Sequence, residues 1–300
     1  MNEKKFTAVI TLVSINQLCY SSDNNYISNL IKKYNIKIFK TTKLSKFVKD
    51  FFFKVDLITF KEMKLACKSH LSRGSDICIQ KNKYRRKKVI ACDMDKTVIN
   101  IETIDLIGEK ILNNNKIAAL TKKAMSGGIN YSNSIIQRTK ILKGISINQI
   151  KQTAKYIKLT KDVDVVIKTL NKNGCHTMLI SGGYEIFANI IGKKIGFKEI
   201  ISNIPISDNG VLTGSLKGDI VDGKGKLNYF KKRIKKLNAK KFQTIAVGDG
   251  QNDIDMIKYA SLGIAWNGFP KVKKAADVLA NYNFKSILYF QGYSDRDITI

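Results

Sequence analysis

Two aspartates, Asp93 and Asp95, follow the apolar run Val89-Ile90-Ala91-Cys92 in the stretch VIACDMDKTVIN, residues 89–100. A carboxylate is already ionised near neutral pH, so Asp93 needs no base to act as a nucleophile. Asp95 stands close enough for like charges to separate the two pKa values, which suits it to donate and then accept a proton. Three further polar signatures lie along the chain: Ser181-Gly182-Gly183 after TMLI, Lys226 in DGKGKL, and Gly248-Asp249-Gly250-Gln251-Asn252-Asp253 after TIAV. These residue types fit phosphoryl transfer, which requires positioning and charge neutralisation above all. Asp93, Asp249 and a backbone carbonyl near Asp95 offer hard oxygen donors for Mg²⁺. Lys226 adds a fixed positive charge. The Ser181 hydroxyl, the Gly182 N–H and Asn252 would bind phosphoryl oxygens, while Thr97 and Asp253 would orient the loop and the metal. Lys224 is close to Lys226 and stays open as the phosphate lysine. Lys96 is expected to point to solvent, as long lysine side chains on a surface do, with a contribution of positive charge to the phosphate site as the alternative.

Each motif alone is weak. Short Asp/Thr strings cap helices, SGG is also a turn, and GDGQND also suits an Asx-turn loop. Their weight comes from order and placement, since each follows a segment that reads as a buried strand, and open α/β sheets bind ligands at the C-terminal ends of their strands. VIAC, HTMLI, TIAVG and LGIAW are short continuous apolar runs, and YEIFANIIGKKI, NDIDMIKYA and PKVKKAA alternate with the last three as helices. That alternation predicts a doubly wound parallel sheet. A mostly helical block at about 104–157 interrupts it and reads as an inserted cap. Asn209-Gly210 carries the turn chemistry of a hairpin. Upstream, FTAVITLV and IKIFK read as strands, NYISNLIKKY and FKEMKLACKSHL as helices, and DICIQ as a strand. They predict a small α/β domain over 1–85, regulatory or dimerising, joined by the basic linker KNKYRRKK to the remainder at 86–300.

The 300 residues can bury a sizeable core, and 44% hydrophobic with 26% charged residues is ordinary for a globular protein. No apolar run is long enough to span a membrane, and the apolar stretch near the start reads as a strand, not a signal peptide. Five scattered cysteines without a CxxC pair suggest neither a disulfide framework nor a zinc site and fit a reducing, cytoplasmic setting. A formal charge of +29 invites a nucleic-acid partner, but only six of the 53 basic residues are arginine and the lysines are dispersed. Solvated lysine faces are the expectation, with no nucleic acid and no membrane as partner.

DMDKTVINIETIDLIGE, AMSGGINYSNSIIQR, ISGGYEIF and AVGDGQNDIDMIKYASLGIAW follow the pattern of the haloacid dehalogenase (HAD) superfamily of phosphatases. Within it, roughly residues 86–293 resemble the phosphoserine phosphatases. The resemblance implies a HAD-like Rossmannoid core and Mg²⁺-dependent hydrolysis of O-phospho-L-serine through an aspartyl-phosphate, the last step of serine biosynthesis. It implies Asp93 as nucleophile, Asp95 as general acid/base, Asp249 as metal ligand, and Ser181, Lys226 and Asn252 as phosphate contacts. It further implies Glu102 as holder of the substrate ammonium and Arg138 as partner of its carboxylate, with Met125 and Tyr131 lining the pocket from the cap. A free amino acid presents one charge of each sign, and this pair answers both. Another small phosphomonoester such as phosphothreonine, or a non-catalytic basic binding role, remain the alternative readings, and a homodimer is open.

Overall fold

The computed structural model describes residues 4–70, 72–113, 115–126 and 128–299. Met125 lies in a described helix, but its side chain is outside the described residues, as is that of Ser126.

The first sheet is built from β1 (Phe6–Ser14), β2 (Ile38–Ser45), β3 (Val48–Val55) and β4 (Ser75–Lys81), in the order β2-β3-β1-β4, with all three pairings antiparallel. α1 (Gln17–Lys33) and α2 (Leu57–Ser69) pack on one face around Ile10, Leu12, Ile27, Phe53 and Met63. Each helix starts where an Asx side chain caps a free backbone donor: Asn16 accepts from the Cys19 N–H and Asp56 from the Thr59 N–H. α1 extends well before the NYISNLIKKY core of its sequence signal, and β3, where lysine and aspartate interrupt the apolar pattern, is an addition to the expected elements.

The second sheet has the order β11-β10-β9-β5-β6-β7-β8. Its strands are β5 (Val89–Cys92), β6 (His176–Tyr184), β7 (Glu199–Asp208), β8 (Val211–Lys217), β9 (Thr244–Gly248), β10 (Leu262–Trp266) and β11 (Val278–Ala280). All neighbours are parallel except β7 and β8, which form the hairpin expected at Asn209-Gly210. Both turn residues have positive φ, +48° and +78°, as a type I′ turn requires.

β5 shows why a four-residue strand can be wholly apolar. Ile90 and Cys92 face a core shared with α7 (Val163–Lys172), α8 (Glu185–Ile195) and α12 (Ser286–Phe290). Val89 and Ala91 face the opposite core, against α9 (Gly223–Lys236), α10 (Ile254–Tyr259) and α11 (Pro270–Ala275). The sheet is therefore covered on both faces, the doubly wound arrangement predicted. Between β5 and α7 come α3 (Thr103–Lys110), α4 (Lys116–Ser126), α5 (Tyr131–Ile141) and α6 (Ile147–Thr153), the inserted helical block. Among the described residues, no helix is long and apolar enough to cross a membrane.

The two sheets are stitched by buried polar groups, two of them from the basic, polar segment 81–88 read as a linker. Arg85 is buried. It pairs with both oxygens of Asp50 at 2.6 and 2.7 Å and donates to the Phe290 and Tyr289 carbonyls at 2.7 and 2.9 Å. Lys87 is buried too and donates to the Phe242 carbonyl and the Ser261 hydroxyl. Carbonyls at the end of α12 need donors, and this segment supplies them.

Candidate active site

β5, β6 and β9 are the three central strands, and chain order reverses about β5, so their C-terminal ends face a common crevice. Asp93 leaves β5 there, its N–H bonded to the Val247 carbonyl of β9 at 2.9 Å. The chain then turns sharply, with Lys96 at φ +54°. Ser181 and Gly182 belong to β6, whose strand runs on through the SGGY segment to Tyr184. Asp249 follows β9, and Asn252 and Asp253 lie in the short turn before α10.

Lys226 joins these pieces. It is fully buried on the first turn of α9 and donates to Asp93 Oδ1 and, at 2.7 Å, to Asp253 Oδ1. Lys224 is exposed, so the structure places Lys226 at the site and Lys224 outside it. α9 begins at Asp222, whose Oδ1 accepts from the Gly225 N–H, and that cap sets the helical phase that aims Lys226 inward. Asp253 is also bonded by the Gly250 N–H at 2.9 Å, and a Cβ on Gly248 would stand 2.4 Å from its carboxyl carbon. Only glycine permits that approach.

Thr97 donates to Asp249 Oδ1 at 3.2 Å, tying the loop after β5 to the end of β9. Asp95 Oδ1 accepts from the Thr103 N–H at 2.8 Å, and Ser181 Oγ stands 3.5 Å from its other oxygen while accepting from the Gly183 N–H. Asp95 thus lies in the loop after β5, between the Thr103 N–H at the start of α3 and Ser181 of β6.

The electrostatics are those of crowded carboxylates. Asp93 is pushed well above the usual carboxylate range by burial and by Asp253, with Lys226 opposing. Burial and Asp253 push Asp249 up to about 7, and burial raises Asp95. Burial works against the charge on Lys226, but Asp253 and Asp93 outweigh it and hold the lysine protonated. Oxygens of Asp93, Asp249 and Asp253 all lie within 4.8 Å of one another, and all three residues are buried. One lysine facing these acids leaves an excess of negative charge, and an all-oxygen donor set suits a hard divalent cation. The residues therefore fit a metal ion. Asp253 was expected only to orient; its oxygen belongs to the cluster because the GDGQND turn folds back on Gly248.

The helical block closes over this crevice. Tyr131 stands against Gly182, where a Cβ would meet its hydroxyl at 2.0 Å, and it lies within electrostatic reach of Arg138, Lys226, Asp95 and Glu102. Ser132 donates to Asp222 Oδ2 at 2.6 Å, a direct bond from the cap to the N-cap of α9. Arg138 is buried on α5, donates to Thr121 Oγ1 at 3.0 Å and lies over the Tyr131 ring at 5.6 Å. Its Nη2 and Glu102 Oε1 are buried polar atoms without a hydrogen-bond partner among the described residues. A solvated surface pair is excluded by that burial. Met125 lies outside the described residues in its side chain and is not placed. Lys96 is exposed, as expected, and its ammonium also stands 3.6 Å from Glu102 Oε1.

Sequence reasoning passed over Asp222 and Asn203. Asn203, buried on β7, donates to the Gly182 carbonyl and accepts from the Val221 N–H, both at 2.8 Å, fixing the glycine strand relative to the approach to α9. Asp222 had a local signal, an aspartate before Gly-Lys-Gly at a helix start. Asn203 had none, since its partners are remote in sequence.

Residues 90–258 match the family model of haloacid dehalogenase-like hydrolases. The chain belongs to that family. Among these hydrolases it is 32% identical over 272 residues to the phosphoserine phosphatase of Saccharomyces cerevisiae, covering 88% of each chain. A solved substrate-bound phosphoserine phosphatase complex is 33% identical with a TM-score of 0.65, over 68% of this chain and 98% of that one. A HAD-family hydrolase from Salmonella enterica serovar Typhi has a TM-score of 0.80 over 95% of this chain and 98% of that one. At 21% identity it speaks to the fold alone, the N-terminal sheet included.

Proposed function

We propose that this HAD-like hydrolase cleaves O-phospho-L-serine to L-serine and phosphate, a closing step of serine synthesis. The observation that carries the substrate is the pair of buried polar atoms under the cap that have no hydrogen-bond partner among the described residues. Glu102 offers an anion and Arg138 a planar cation beside the phosphate-handling cluster. A three-carbon amino acid brings one charge of each sign, and its ammonium and carboxylate would complete both groups. The similarity to phosphoserine phosphatases over most of the chain supports the same reading.

In this mechanism Ser181, the Gly182 N–H, Lys226 and Asn252 hold the phosphoryl oxygens. Asp93 attacks phosphorus, a bond forms between its carboxylate Oδ and phosphorus, and the bond from phosphorus to the serine oxygen breaks. Asp95, whose pKa burial raises, gives its proton to that oxygen. It then takes a proton from the water that attacks the aspartyl-phosphate, releasing phosphate and restoring Asp93. Mg²⁺, held by Asp93, Asp249 and the Asp95 carbonyl with Asp253 adjoining, would supply charge that offsets repulsion between the Asp93 carboxylate and the phosphate dianion. The cap excludes bulk water while Tyr131 and Ser132 close on Gly182 and Asp222.

We also place residues 1–85 as a separate regulatory or dimerising unit, the core at 86–300 and the cap at about 104–157. The open edge at β2, with Phe39 exposed, supports a homodimer through that edge. The five described cysteines are free, which supports a reducing cytoplasm. A panel of small phosphate esters, assayed with and without Mg²⁺, tests the substrate. Phosphoserine should lead the panel by at least about tenfold over phosphothreonine, the extra methyl crowding the closed cap. Equal rates across the panel would contradict the assignment.

A further inference from the structure

Lys96 occupies a position that ordinarily disfavours it. Its φ of +54° lies in the left-handed region, where a side chain with a Cβ is strained. The side chain is 44% exposed, yet its ammonium does not run free into water. Nζ stands 3.6 Å from Glu102 Oε1 and 5.9 Å from the centre of the Phe269 ring. Glu102 itself is only 9% exposed in its side chain. Burial first, and then Asp95 from the loop after β5, Asp249 from the end of β9 and Asp105 from α3, push its carboxyl up to about 8. Lys96 opposes them. A buried carboxylate in such surroundings is held as an anion only at a cost, and an adjacent cation lowers that cost.

The separation matters as much as the charge. At 3.6 Å the pair is within ion-pair reach but beyond hydrogen-bond length, and Oε1 has no hydrogen-bond partner among the described residues. The lysine acts on Oε1 through its field and leaves the acceptor capacity of that atom open. The Phe269 ring, 5.9 Å away at its centre, adds a second favourable contact for the ammonium.

We propose that Lys96 is a positioning residue for substrate recognition, its ammonium pairing with Glu102 beside an acceptor left open for the ammonium group of an amino-acid phosphate ester. The inference rests on the reading of Glu102 as the partner of that ammonium, and it adds a residue outside the phosphate-handling cluster. Its effect falls on recognition, so it is read in KM and not in kcat.

The test compares wild type, Lys96→Met and Lys96→Arg, each with Mg²⁺. kcat and KM are measured for O-phosphoserine, with its desamino analogue, 3-(phosphonooxy)propanoate, and inorganic phosphate as competitors. Lys96→Met should raise KM for phosphoserine about tenfold with kcat within about twofold, as for the loss of one close charge pair. The inhibition constants of the two competitors, which carry no ammonium, should stay within about twofold, and Lys96→Arg should restore KM. An unchanged KM in Lys96→Met overturns the proposal. So does an equal weakening of phosphoserine and both competitors, which would mean that the lysine serves the phosphate site or the loop's shape. Failure of the substrate reading looks different, because wild type would then not turn over phosphoserine at all.

Discussion

At the scale of single residues, the site is a balance of buried charges around Lys226, which bonds Asp93 and Asp253 together. Arg138 answers a different need. Three of its contacts, to Thr121, the Ser134 carbonyl and the Tyr131 ring, come from the cap itself, and Nη2 is left for a ligand. Arg138→Met keeps bulk and removes the fork. It should lower kcat/KM for phosphoserine about 100-fold, the scale of a lost buried charge-assisted pair, and that for phosphoethanolamine, which has no carboxylate, by no more than about threefold. Steady-state kinetics on the two esters check this; equal losses on both would remove Arg138 from carboxylate recognition. Asp93 and Asp249 were legible in the sequence because each closes an apolar run, with Asp95 two residues on from the first, and strand ends are where a sheet presents side chains to ligands. Glu102, Arg138 and Tyr131 came from resemblance alone, since charges and a tyrosine on helices have many ordinary uses. Lys96 was legible as an exposed side chain, but its pairing with Glu102 was not, since residue type does not disclose the left-handed turn it stands on.

Among the elements, the meeting of β6 with α5 governs access. Gly182 is where the cap seats, and any Cβ there enters the Tyr131 ring: 2.0 Å from its hydroxyl and 2.6 Å from the carbon bearing it. Gly182→Ala should therefore hold the cap ajar, raise KM for phosphoserine by about tenfold or more, and expose the segment 116–141 to protease. Tyr131→Ala makes room, so adding Gly182→Ala to it should cost little further. A double-mutant cycle by kinetics reads the coupling, and strict additivity of the two substitutions would refute the clash. The helical block, the β7–β8 hairpin and the parallel core were legible because periodicity and Asn-Gly turn chemistry are local signals. The β3 strand was not, since Lys49, Asp50 and Lys54 break its pattern; Asp50 is there for Arg85, a partner visible only in three dimensions.

The whole molecule adds polar bonds between its two sheets. Asp76 on β4 is buried, accepts from the Asn281 N–H and the Ser286 hydroxyl at 2.8 Å each, and is pushed up to about 6 by burial despite those bonds. A carboxyl raised in the folded state retains a proton that the unfolded chain has shed. Its contribution is fully present below about pH 4 and is lost as pH rises to about 6, after which it is constant. Asp76→Asn keeps an acceptor for Asn281 and turns a donor toward the Ser286 oxygen, with no charge to bury. Relative to wild type, it should gain about 2–3 kcal/mol between pH 4 and pH 6.5 and hold that gain above. Urea midpoints across that range for both proteins give the difference directly. A difference independent of pH would show that Asp76 stays ionised throughout. The joint between the sheets was the least legible feature of the chain, because KNKYRRKK has the composition of a solvated linker while Arg85 and Lys87 are buried.

The central claim is that Asp93 attacks the phosphate of phosphoserine. Phosphate release from O-phospho-L-serine in the presence of Mg²⁺ should be rapid for wild type and reduced at least about 1,000-fold for Asp93→Asn, with the variant still folded by circular dichroism. Release at wild-type rate by Asp93→Asn would contradict the account.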